Sequence, residues 1–571
     1  MIKLPNLPEE TRAAHASKGW PLALAGSVLL IVSGLLSWSY DPNILGDISI
    51  ALWPATLQLF AIFLGVVALI FALMHKGPLQ RLGDWFDAAL GLRTLGNGAV
   101  FFALLSILAI AYEAGGLINI NPGAWVALAG AVLLFVGAHL TPQRLLHDLA
   151  KTQVSSVVEI LVIVVLMAFA LFSAAYVLGR DDAWVFVLFL LVLGVIVMAM
   201  ARAGFFTWFG YVGARHRQVL TLAAFAVAFL FPFTQDGSDA NMSIATQVII
   251  FAATAIGLNI VVGLAGLLDL GYIAFLGSGA YVAAMMSNAA SATVGFKPPF
   301  ILVMFIGACV AAIFGLIIGS PTLRVSGDYL AIVTLAFGEI FRLSMFNLDG
   351  NNGPDLTNGP NGIPGIPDLK LFGFDFGKPH TIFGLQLGRF SNYYFILLLL
   401  IGFVILVFTR LNNSRIGRGW VAIREDERAA EAMGVNVFGL KLFAFAGGAF
   451  LAGLAGTIKA HQDTAVSPDQ YVFLESAFLL SAVVLGGMGT VAGVLVGATI
   501  LKLLPEKLRF FSEYRLLIFG LLLVVMMRIR PEGLIASKRR QLEFHDEDEG
   551  LAKEIQQEHL LEVAATTEGP R

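Results

Sequence analysis

From Ala51 to Met74 the chain runs without one charged side chain, and Ala183 to Ala201 is a second such run. As helix, about 20 apolar residues cross the ~30 Å hydrocarbon core of a bilayer. Both runs are too long for ordinary buried helices. Neither alternates polar and apolar residues as a barrel strand would. They therefore read as membrane spans. Lipid offers no partner to a bare backbone, so such a chain closes its hydrogen bonds within helices. Composition agrees. Of 571 residues, 58% are hydrophobic and 13% charged, about half the ~25% charged share of soluble proteins. That excludes a soluble enzyme, a disordered chain and a nucleic-acid binder. The net charge of -3 gives no reason to expect a polyanionic partner. The single cysteine, Cys309, lies in an apolar run, which excludes an intrachain disulfide and a cysteine metal site.

Six spans precede residue 217, near 20–40, 51–74, 97–117, 122–140, 156–178 and 183–202. The first exceeds a signal-peptide core and has no clear small-residue cleavage site, so it reads as uncleaved. Loops carrying Lys76, Arg81 and Arg93, then Arg144 and Lys151, then Arg202, Arg215 and Arg217 are basic. The loops between them are acidic or neutral. By the positive-inside rule this places the N-terminus in the cytoplasm. Further spans fall near 218–234, 244–266, 270–287, 299–319, 328–346, 392–409, 441–459, 473–487, 489–504 and 514–529. The total of about 16 returns the C-terminus to the cytoplasm. Segment 270–287 starts beside Asp269 and is rich in glycine, which suggests a broken or re-entrant helix. The expected fold is all-α and polytopic.

Three segments stand outside the spans. Leu348 to Phe390 is a long outer loop whose Asp349-Gly350, Asn358-Gly359-Pro360 and Asn361-Gly362 steps predict ordered turns. Arg410 to Lys441 is a basic cytoplasmic loop. The tail after Pro531 carries an acidic stretch, Glu543 to Glu549. No phosphate-cradling loop occurs, because the Gly377-Lys378 pair is followed by proline. The candidates for an ion-coupling residue in a span are Glu159, Asp269, Asp328, Glu339, Arg342 and Glu475. Glu339 and Arg342 lie three apart, within pairing reach on one helix face. They form no relay with histidine, and the nine histidines are scattered, so no metal or cofactor is expected.

Four motif groups carry a resemblance. Gly257-Leu258-Asn259 runs into Gly263, Gly266-Leu267-Leu268-Asp269-Leu270-Gly271, Phe275, Gly277 and Gly279-Ala280-Tyr281. Leu323-Arg324 precedes Gly327-Asp328-Tyr329-Leu330-Ala331-Ile332-Val333-Thr334-Leu335 and Gly338-Glu339. Gly359-Pro360-Asn361-Gly362-Ile363 lies in the outer loop. Arg424-Glu425-Asp426-Glu427 leads to Ala429-Ala430-Glu431-Ala432-Met433-Gly434. Gly486-Gly487-Met488-Gly489 and Arg530-Pro531-Glu532-Gly533-Leu534 follow. In this order they resemble the M-type permeases of bacterial high-affinity branched-chain amino acid ABC importers, over residues 217–535. Urea and short-amide permeases share much of the pattern.

The resemblance implies a permease core at 217–530, a six-span extension at 1–216 and a cytoplasmic tail at 531–571, in a bacterial inner membrane. It implies no catalytic residue. Besides membrane lipid, the implied partners are a homologous H-type permease, two cytoplasmic ATPases and a periplasmic amino-acid-binding protein. It also implies an ATPase-docking loop that carries Arg424, Glu427, Arg428, Ala429, Ala430 and Gly434. Arg428 stands where the family has glutamate. Trp420 to Met433 is rich in good helix formers, which predicts a helix that ends at Gly434. Asn259, Tyr281 and Thr334 are candidates for the substrate path, through an amide and two hydroxyls. The rival readings are a urea or short-amide permease, an ion-coupled secondary transporter and a membrane scaffold.

Overall fold

The computed structural model describes residues 9–40, 56–80, 86–142, 154–180, 182–235, 237–287, 289, 294–322, 328–351, 353–382 and 384–507, then 514, 517, 520–521, 524–525, 528 and 533–535. The motif residues Leu323 to Gly327 and Arg530 to Glu532 lie outside these, as does the acidic stretch Glu543 to Glu549. The chain forms two compact units, Met1–Asp236 and Gly237–Arg571. Among the described residues, 12 helices are long and apolar enough to span a membrane, and Lys18–Ser33 and Ile273–Met285 are shorter apolar helices.

The first unit contains α1 (Glu9–Ser33), α2 (Thr56–His75), α3 (Ala88–Glu113), α4 (Pro122–Leu140), α5 (Ser156–Leu178), α6 (Ala183–Arg202), α7 (Phe205–Arg215) and α8 (Arg217–Leu230). The expected domain boundary at 216 falls one helix before the end of this unit. Its core gathers Leu30, Trp38, Leu64, Leu92, Phe102, Leu134 and Leu188, all fully buried. Helices α1 and α4 touch backbone to backbone, because an added Cβ at Gly26 would sit 2.3 Å from the nitrogen of Leu134. Glycine permits that approach, as is common between membrane helices. A satellite cluster of Ile163, Trp208 and Val212 joins α5 to α7. Glu159 is buried there between Arg215 at 2.6 Å and His216 at 2.8 Å. Breaking such a pair strands a buried charge, which costs about 3–5 kcal/mol.

The second unit contains α9 (Asp239–Asn259), α10 (Ile273–Met285), α11 (Phe300–Thr322), α12 (Asp328–Asn347), α13 (Arg389–Asn412), α14 (Arg415–Glu425), α15 (Glu427–Ala432), α16 (Val437–Asp463), α17 (Phe473–Gly486) and α18 (Val491–Lys507). Helix α16 is its axis and packs on α10 and α11. Among the ionisable residues at spans, Glu475 pairs with Lys502 at 2.9 Å and Glu339 with Arg342 at 2.5 Å. Low dielectric explains the pairing: unpaired charge is costly in a span.

Among its described residues, the long segment between α12 and α13 holds the turns that its chemistry predicts. Asp349 accepts from the amide of Asn351 at 2.9 Å, and Asn358 turns through φ 58. Strands β2 (Lys370–Leu371) and β3 (Phe374–Asp375) form one hairpin, and β4 (His380–Ile382) and β5 (Leu385–Leu387) form another. Strand β1 (Ile363–Pro364) instead pairs with β6 (Ala465–Val466), just beyond α16. Arg389 locks that junction. It donates to Asp368 at 2.7 Å and to the carbonyls of His461 and Gln462 at 3.0 and 2.8 Å.

Candidate functional site

Helix α9 does not stop cleanly at Asn259. A π-helical turn, Ile260–Leu264, follows, and the chain then runs without helix to Ile273. The non-helical link thus precedes α10, and α10 itself, within the segment 270–287 expected to be broken or re-entrant, is one continuous helix of 13 residues. Side chains from distant segments hold the link. Asn259, fully buried, accepts from the amide of Gly489 at 2.8 Å and donates to the carbonyl of Thr490 at 3.3 Å. Thr334, on α12, accepts from the amide of Leu270 at 3.0 Å and donates to the carbonyl of Ala331 at 3.0 Å. Tyr272 donates to the carbonyl of Gly448 at 2.6 Å. The amide of Ile273 donates to Ser476 at 3.0 Å.

Asp269 lies in the non-helical link between α9 and α10. One carboxylate oxygen accepts from the amide of Gly271 at 2.9 Å. The other is buried and has no hydrogen-bond partner among the described residues. Burial pushes this carboxyl up to about 7, against the opposing pull of the Gly271 amide.

Tyr281 belongs to a different cluster. Its ring lies 6.1 Å from Phe341 and 6.1 Å from Tyr471. Both tyrosine hydroxyls are buried without a hydrogen-bond partner among the described residues. Asn259 and Thr334 thus meet at the break, whereas Tyr281 does not join them.

The loop at 415–434 folds as an elbow, where the sequence predicts one helix from Trp420 to Met433. The interruption is Asp426, extended at φ -153, ψ 109, whose side chain accepts from the amide of Ala429 at 2.9 Å. An aspartate that caps the next helix in this way ends the one before it. Ser414 opens α14 by the same device, accepting from Gly417. Trp420, fully buried, donates to the carbonyl of Leu440 at 2.7 Å and stacks on Phe443.

Helix α15 ends in a tight cap. The amide of Val435 reaches the carbonyl of Ala430 at 3.1 Å, and the amide of Gly434 reaches Glu431 at 2.9 Å. Gly434 sits at φ +82, the left-handed turn that this cap requires. Ala430 is buried, whereas Arg428, Ala429 and Met433 are exposed. Glu427 pairs with Lys441 at 2.6 Å.

Arg424 joins the elbow to the break. It donates to the carbonyl of Gly263, in the π-turn, at 2.9 Å, and its stem lies against Gly266. The turn after α17 meets the same place through Asn259. The last two residues of α17, just before that turn, receive the amides of Leu534 and Ile535 on the carbonyls of Leu485 and Gly486, each at 2.9 Å. Four glycine-bearing motifs, far apart in sequence, thus form one bonded junction. The motifs themselves are visible in the sequence. Their meeting is not, since it rests on hydrogen bonds between residues far apart in sequence, 161 positions for Arg424 and Gly263 and 231 for Asn259 and Thr490.

Residues 241–527 match the family model described as branched-chain amino acid transport system / permease component. That span is half of the chain. The chain belongs to the branched-chain amino acid transport permease family. It is 40% identical over 354 residues to the high-affinity branched-chain amino acid transport system permease protein LivM of Escherichia coli strain K12, covering 60% of this chain and 80% of the relative. It is 38% identical over 342 residues to LivM of Salmonella typhimurium strain LT2, covering 57% of this chain and 77% of the relative. LivH of the same Salmonella strain is 25% identical over 291 residues, covering 50% of this chain and 91% of the relative. No solved structure matches the chain significantly. This permease is a multi-pass inner-membrane transport subunit of the ABC importer class, and not an enzyme. The family match begins at 241, within the second unit, so the first unit lies outside it.

Proposed function

We propose that this permease is the M-type subunit of an ATP-driven importer of leucine, isoleucine and valine. Its second permease is a homologous H-type chain, a reading supported by the likeness to LivH. Two cytoplasmic ATPases dock on the pair, and a periplasmic binding protein delivers the amino acid. Both termini of this chain face the cytoplasm.

The observation that carries this reading is the bonded junction between the elbow and the broken helix. In it, Ala429, Ala430 and Gly434 form the compact end that enters the ATPase. Arg428 and Glu427 flank that end with charge. Arg424 passes the movement of α14 to the π-turn of α9 through Gly263. Two-state levers of this kind couple a remote ligand to a gate. Asn259 and Thr334 hold the backbone of the gate along the substrate path, and Tyr281 offers a hydroxyl further along it.

Purification from native membrane in mild detergent tests the assembly. A second permease and two ATPase chains are expected with this one, and the purified chain alone is expected to hydrolyse no ATP. Vesicles holding the assembly should accumulate labelled leucine with ATP and not labelled urea. Urea uptake without leucine uptake would assign the short-amide alternative. Uptake driven by an ion gradient without ATP would overturn the importer reading.

A further inference from the structure

Glu339 sits near the middle of a span. Along α12 it lies about 15 Å from Tyr329 and about 12 Å from Asn347, at ~1.5 Å per residue. Arg342 donates to it through Nε at 3.0 Å and through Nη2 at 2.5 Å. Even so paired, the glutamate side chain is 42% exposed and the arginine 21%. Beside them, Tyr329, Ile332, Ile340, Leu343 and Phe346 form an exposed apolar face.

A carboxylate at the centre of a helix facing hydrocarbon costs about 2.5–3.5 kcal/mol even on the mildest scales. Charges within spans accordingly face a protein interior or a wet path. The apolar residues alone would suit lipid, but Glu339 does not. The other side of α12 is closed: Phe341 is buried against Tyr281 and Tyr471. The pair is therefore presented outward among apolar residues, with one further charge beside it: Asp469, itself exposed, lies 3.8 Å from Arg342.

We infer that Glu339 and Arg342 form the transit site for the zwitterionic head of the amino acid, with Glu339 taking the ammonium and Arg342 the carboxylate. This rests on the importer reading above. An α-amino acid carries its two opposite charges on neighbouring atoms, and residues three apart on a helix carry theirs about 5–6 Å apart at Cβ. Inserting the substrate opens the Glu339–Arg342 pair and closes two, with no change in net charge, while Arg342 keeps the more distant Asp469 at 3.8 Å. Arginine holds a carboxylate through two parallel N–H donors. The apolar residues on either side suit a branched aliphatic side chain. Because the protein's own pair re-forms when the substrate leaves, occupancy is weak, as passage requires.

The test uses the assembled importer in vesicles, with labelled leucine and ATP. The double variant Glu339→Gln/Arg342→Gln removes both charges and leaves neither stranded. It is expected to co-purify with its partner chains as the wild type does, while uptake falls at least tenfold. The exchanged variant Glu339→Arg/Arg342→Glu keeps an ion pair on the same helix face but reverses its order. It is expected to assemble and to remain at least tenfold impaired. Wild-type uptake in the double variant, or rescue by the exchange, would make the pair a structural lock and overturn the inference. Loss of assembly in the double variant would do the same. If the wild-type assembly itself fails to take up leucine, the importer reading falls first, and this inference with it.

Discussion

Arg424 reaches 161 residues back along the chain to place its guanidinium 2.9 Å from the carbonyl of Gly263. The bond ties the elbow to a turn whose own hydrogen-bond ladder is interrupted, so the carbonyl gains a partner that helix geometry does not supply. Replacing Arg424 by alanine removes the tie and leaves that carbonyl without its donor, at about 1–3 kcal/mol. Uptake by the assembled importer is expected to fall at least tenfold while ATP hydrolysis continues. Arg424→Lys keeps the charge without the planar fork and should fall between. Parallel assays of labelled leucine and released phosphate check this, and equal losses in both would contradict it.

Gly434 tests the compact end of the elbow. An added Cβ there meets nothing within 4 Å, so steric contact is not the issue. The cost is backbone: at φ +82 an L-residue loses about 1–2 kcal/mol. A six-residue helix has little stability of its own to set against that. Gly434→Val is expected to insert normally and to lose both ATPase co-purification and uptake. Gly434→Asn, which tolerates the left-handed turn, should retain most of each. Normal uptake with Gly434→Val would reduce the elbow to a connector.

Asp269 sets a pH dependence of stability. Its folded value of about 7 lies above its ordinary value of 3.8, so between those limits the folded chain holds a proton that the unfolded chain releases. Stability therefore falls as pH rises from about 4 to 7 and levels off above. Asp269→Asn keeps the shape and the bond to Gly271 but cannot ionise. Thermal melts in detergent should show that slope reduced in the variant, and an identical slope in both proteins would refute the assignment.

Orientation follows from the two loops. In a Cys309→Ser background, a cysteine at Asn361 should react with an impermeant thiol reagent from outside intact cells. One at Glu427 should react only after the membrane is opened. Both side chains are exposed in the fold, so lack of reaction would report the membrane and not burial. Reversed labelling would exchange the roles of the two loops.

The spans were legible because lipid imposes a crude rule, long uncharged runs, that Ala183 to Ala201 satisfies by itself. The turns at Asp349 and Asn358 were legible because their side chains bond locally. Asp426 shows the limit. Its neighbours all favour helix, and one side-chain bond to Ala429 outweighs them. Asn259 and Thr334 announce themselves as polar residues in apolar surroundings, but their partners, Gly489, Thr490 and Leu270, are chosen by packing. The end of the first unit at Asp236 was not legible either, since α8 carries no mark of which neighbours it will join.

Helix α16 has work at both extremities. Near its start Lys441 holds Glu427 of the elbow, and at its end His461 and Gln462 hold Arg389 while β6, just beyond, pairs with β1. One unbroken rod of 27 residues, long and apolar enough to cross a bilayer, thus carries a fixed angular phase from one end to the other. A single residue inserted at its midpoint would turn the two ends by about 100° relative to each other, placing one set of contacts on the wrong side while leaving hydrophobicity and length almost untouched. By reciprocity, whatever occupies the far end biases the elbow as strongly as the elbow biases it.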